Sequence, residues 1–247
     1  MCDPVRDALR AEWTKLRTLP ETLYLGVGTV VLTVGISAFA AYSSCSRARC
    51  DIDPVAMSLT GVAFGQAAVS VFAVQLMGLL SLTFVAVPRR LTVLGAKAIL
   101  ASALITLVGV VSVAGSYVAG RLLLPVPVPF AVRPLLGSVL YLVLIGLLSL
   151  GTAAAVREAS AAVGVVLGLL YVLPIVALTL SDPDWQRHLR QISPMTAGLA
   201  IQATRNLSDL PIRPWAGLGV LALWSLGSLV IGGGVLKCRN APLGSTP

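Results

Sequence analysis

The chain has 247 residues, of which 57% are hydrophobic and only 11% charged, where an ordinary soluble domain carries about 25% charged residues. A soluble fold of this size leaves roughly a quarter to a third of the unfolded chain's surface in water, so this much apolar surface excludes a soluble enzyme, a nucleic-acid binder and a disordered tail, and makes lipid the solvent. The net charge of +8 is scattered over short hydrophilic stretches, which suits flanking membrane spans and meeting anionic lipid head groups.

Residues 4–19 predict a helix lying on the membrane. Val5, Leu9, Trp13 and Leu16 share one face, and Arg6, Arg10 and Arg17 border it, the pattern of an interfacial helix. Glu12 falls on that apolar face and wants a partner. Pro20 marks the turn into the first span. Mixed charge and the lack of a small-residue cleavage site argue against a removed signal, so residues 1–22 form an N-terminal amphipathic unit.

A spanning helix needs about 20 apolar residues. Six runs qualify, at residues 23–42, 61–83, 98–120, 135–155, 161–180 and 215–236, and none contains Asp, Glu, Lys or Arg. Solid runs rather than alternating segments require helices, not barrel strands. The expected fold is therefore an all-α polytopic membrane protein, with six transmembrane helices over residues 23–236 and a short tail over 237–247. Glycine pairs such as Gly61 and Gly65 or Gly232 and Gly234 permit close helix approach.

Six spans put both ends on one side. Cytoplasmic ends place ten of the 18 basic residues inside and eight outside, a bias that favours this orientation in the cell membrane once the long 181–214 segment is discounted. Cys45 and Cys50 then share an outer loop, where oxidising conditions permit a disulfide; two unpaired thiols are the other reading. Residues 84–97 form a basic cytoplasmic elbow carrying Arg89, Arg90 and Lys97. Residues 121–134 hold four prolines and predict a stiff, extended loop. In the long segment 181–214, residues 195–206 predict a short helix on or dipping into the membrane.

Covalent chemistry is scarce. The sequence has no nucleophile–base constellation, phosphate-binding glycine loop or CxxC pair, and its lone histidine, His188, leaves no metal-ligand cluster. No catalytic or metal site is expected. The amides of Gln66 and Gln75 stand out in the second span. An unsatisfied amide in lipid is costly, so Gln75 should face protein or a water-filled path; the pair either bonds between helices or lines a substrate route. Ion-coupled transporters place ionisable groups in the membrane, and these runs have none.

Three stretches resemble the permease subunits of ABC-2 type transporters, particularly the actinobacterial kind. They are Ala11 to Arg17, Ala86 to Arg90 running on to Ala98, and Pro214 to Leu218 with Arg239, Asn240 and Ala241. The resemblance implies an exporter of lipophilic or amphipathic compounds, built from two permeases, identical or different, and two cytosolic ATP-binding cassette subunits. ATP and Mg would be held by those subunits, with no cofactor in this chain. It further implies that Glu12, Lys15, Arg17, Arg89 and Arg90 carry the coupling contacts. The loop after the second span is shorter here than in the family, which leaves a second reading open: a non-transporting membrane anchor or regulatory partner.

Overall fold

The computed structural model describes residues 20–44, 53–79, 90–156, 158–208 and 210–238, and every regular element among them is helical. In lipid no water is available to satisfy the backbone, so each apolar run closes its hydrogen bonds within itself. In chain order the elements are α1 (Pro20–Ser44), α2 (Pro54–Ser58), α3 (Val62–Leu79), α4 (Arg90–Leu123), α5 (Val132–Val156) and α6 (Ala159–Leu167). A π-helical turn (Gly168–Val172) joins α6 to α7 (Leu173–Thr179); then come α8 (Pro183–Ile192), α9 (Pro194–Leu199), a 3-10 turn (Ala200–Gln202) and α10 (Pro214–Cys238).

Among the described residues, five helices are long and apolar enough to cross a membrane: Thr22–Ser43, Ala98–Leu123, Val132–Val156, Ala159–Thr179 and Pro214–Leu236. The chain is an all-α polytopic membrane protein. The run expected at 61–83 appears as α3, an apolar helix of 18 residues. At 1.5 Å per residue that is about 27 Å, close to the hydrocarbon thickness of about 30 Å.

Two expectations need correction. The fourth run's helix starts at Val132, so the proline-rich connection is non-helical only over 124–131; Pro134 fits the first turn of α5, where its missing N–H costs nothing. The elbow expected over 84–97 is helical from Arg90 onward. Pro20 is the first residue of α1, at the entry to the first span. The amphipathic unit expected over 1–22 otherwise lies outside the described residues, as do residues 239–247.

The central helix is α5. It packs against α3, α4, α6 and α10, and over half of its span is buried where the other long helices bury a third or less. Tyr141, Leu142, Ile145, Leu148 and Leu150 are all fully or almost fully buried. Small residues let its neighbours approach. A Cβ on Gly232 of α10 would meet the Gly151 carbonyl oxygen of α5 at 2.5 Å, so no larger residue fits that crossing. Likewise Gly61, just before α3, sits on the α1 backbone, and its N–H donates to Ser37 Oγ at 3.0 Å. These are the close approaches expected of Gly-rich helices in lipid, where helix contact rests on packing rather than on expulsion of water.

Candidate functional site

Two features stand out: an apolar groove between the fifth-span helices and α10, and a file of polar side chains along the inner face of α5. Both begin with local chain chemistry. Pro174 has no N–H to offer the Leu170 carbonyl, and its ring collides with that carbonyl in a regular α-helix. The wider π turn at Gly168–Val172 accommodates the defect. Leu170 and Tyr171 turn inward there: Leu170 is fully buried, and the Tyr171 hydroxyl donates to the Ala63 carbonyl of α3 at 2.8 Å. Leu169, Val172 and Leu173 face the groove.

The groove has a volume of about 910 Å³. Its floor is Leu148, Thr152 and Ala155 of α5, and its far wall runs on α10 from Val220 to Ile231, roughly 16 Å along the helix. That is about half the hydrocarbon thickness. Ile192, the last residue of α8, also lines it. The polar atoms on the wall are already committed. Thr152 Oγ1 donates to the Leu148 carbonyl at 2.8 Å, Ser228 Oγ to the Ser225 carbonyl at 2.8 Å, and Trp224 Nε1 to the Ile192 carbonyl at 3.0 Å. The groove therefore offers shape and dispersion to an alkyl or aromatic surface. Binding an apolar chain there gains little over lipid, whose tails are equally apolar, so affinity rests on fit.

The polar file runs inward from a capped end of the bundle. Gln202 Nε2 donates to Ser138 Oγ at 3.0 Å. One turn further along α5, the fully buried Tyr141 donates its hydroxyl to Gln66 Oε1 on α3. Gln66 itself is fully buried, and its side chain also lies beside the Tyr171 hydroxyl.

The cap is built from three connections. Asp53 caps α2, its Oδ1 accepting from the N–H groups of Val55 and Ala56 at 3.1 and 3.2 Å. The same carboxylate accepts from the Thr204 hydroxyl at 2.7 Å, from the Arg205 N–H at 2.9 Å and from the Thr204 N–H. Arg133, in the first turn of α5, donates to the Ala203 carbonyl. Burial raises the Asp53 pKa, but the bonds from Thr204, Ala56 and Arg205 outweigh it and hold the group below its ordinary value. The segment expected to dip in near 195–206 does form helix, α9 and the 3-10 turn, packed so that Gly198 abuts Tyr141 and Gly137 abuts Ile201.

Of the residues singled out by sequence, the structure brings Gln66 into a polar cluster and leaves Gln75 out of it. The two are nine positions apart on one helix, which at 100° per residue puts them on opposite faces. Gln75 is exposed on the single chain. Arg90 is the first residue of α4. Glu12, Lys15, Arg17, Arg89, Cys45 and Cys50 lie outside the described residues. Among the described residues no group of three or more His, Cys, Asp or Glu could hold a metal ion.

Sequence reasoning missed Asp53, Tyr141, Tyr171 and Trp224. Each had a signal: an Asp before Pro54 is a helix-start pattern, and a tyrosine or tryptophan inside an apolar span needs a partner for its polar tip. No protein-family model matches the chain, and a search of the curated proteins finds no match.

Proposed function

We propose that this chain is the membrane-spanning permease subunit of an ATP-driven exporter in the cell membrane, moving lipophilic or amphipathic compounds. In this reading it crosses six times, with α3 as the second crossing and both termini cytoplasmic, and the capped end faces outward. It pairs with a second permease, identical or different, and ATP is hydrolysed by separate cytosolic cassette subunits that touch the segment around Arg89 and Arg90.

The observation that carries the reading is the groove. It is an apolar recess at membrane depth whose described polar wall groups are internally satisfied. Such a recess suits a molecule that dissolves first in the bilayer and enters from the side. The apolar runs hold no ionisable residue able to couple an ion gradient, so uphill movement draws its energy from a partner. The ABC-2 resemblance supplies the identity of that partner.

The test is co-purification. The tagged chain, expressed with its neighbouring genes and extracted in mild detergent, is expected to bring down an ATP-hydrolysing subunit whose turnover responds to single-chain amphiphiles. A well-folded chain that brings down no such subunit would sink the exporter reading and leave the membrane anchor in its place.

A further inference from the structure

At the capped end, three described bonds from one segment converge on one carboxylate. Residues 203–205 form a strap with no regular structure, between the 3-10 turn and α10. Asn206 follows with φ of 49°, a left-handed conformation that asparagine tolerates better than most residues. Three bonds from the strap end on Asp53, 151 and 152 positions away. One more comes from Arg133, whose buried Nε has no partner. Beneath lie Gln202, Ser138 and Tyr141, the start of the polar file.

We infer that the strap is a displaceable lid over the polar file and that Asp53 is its latch. Three features set it apart from ordinary loop packing. Its bonds reach across the bundle to a different connection, so they can be lost without unravelling a helix. They are point contacts on one side chain, and no apolar side chain of Ala203, Thr204 or Arg205 belongs to the buried core. The Arg133 end is only partly satisfied in the closed arrangement, which lowers the cost of leaving it. The inference concerns the opening of the strap and holds whether or not the chain couples to ATP.

The test is hydrogen exchange on the full chain in detergent micelles, comparing wild type with Asp53→Asn. Asparagine caps a helix as well as aspartate does, so α2 keeps its start. Its neutral amide cannot accept every strap donor, and the charge is gone. Peptides covering residues 200–208 are expected to exchange at least about tenfold faster, the change that losing one bond to a charged group brings. Peptides from α5 and α10 should be unchanged. Thr204→Val removes only the hydroxyl and should give a smaller acceleration confined to the same peptides, which keeps the test open if the Asn variant fails to fold. Wild-type rates in the strap of either folded variant would overturn the latch. Equal acceleration in α5 and α10 would overturn it too, because Asp53 would then hold the whole bundle.

Discussion

Asp53 is a small case of one side chain serving two elements. Its Oδ1 caps α2 while both oxygens receive the strap. Because its folded pKa is lowered, the native state holds the ionised form more firmly than the unfolded chain does. Its contribution is therefore complete above the unfolded carboxylate range, about pH 5 and higher, and is lost as pH falls through the lower native value. Melting wild type and Asp53→Asn side by side should show wild type ahead at neutral pH and the gap closing in acid. A gap that stays constant down to pH 3 would mean the charge is not what matters. Only part of this residue was legible in the sequence. The Asp–Pro pair signals a helix start, but a contact spanning 151 positions leaves no local periodicity to read. Gln66 and Gln75 show the same limit. Composition flags both amides as costly in lipid, while only packing decides which one is buried.

At the scale of elements, the apolar runs announced the helices because length and hydropathy are local properties. Their ends were less legible. A proline inside the first turn of a helix, such as Pro134, looks in sequence like a proline in a loop, and no Ser, Thr, Asp or Asn directly precedes Arg90 in the sequence to signal a helix start. The π turn in the fifth span was invisible to run-length counting, although Pro174 is its physical cause. That cause makes a testable coupling. Tyr171→Phe removes the bond to Ala63 and should cost about 1 kcal/mol in micellar unfolding. In a Pro174→Ala background the regular helix can re-form, which turns Tyr171 off Ala63, and the same change should then cost close to nothing. A double-mutant cycle measures the difference. Additive costs would show that Pro174 does not place Tyr171.

For the whole molecule, membrane character and helical class were readable from composition, since each is a sum over many residues. The groove was not, because it exists only where the fifth-span helices and α10 pack on α5 without filling the space between themselves. Its link to function has a direct test at Gly227, which lines the groove and where an added Cβ meets nothing within 4 Å. Gly227→Phe should occupy the recess without a backbone clash. Replacing a mid-helix glycine also removes a helix penalty of up to about 1 kcal/mol, so stability should hold or rise. Gly219 on the same helix is exposed, equally open and absent from the groove wall, and Gly219→Phe is the matched control. If the groove receives the lipophilic compound, Gly227→Phe should weaken binding of a fluorescent amphiphile by tenfold or more, about 1.4 kcal/mol, while Gly219→Phe leaves it unchanged. Stability and binding then move in opposite directions, which loss of folding cannot produce. Equal binding by both variants would place the compound elsewhere and leave the groove as a recess filled by ordinary lipid.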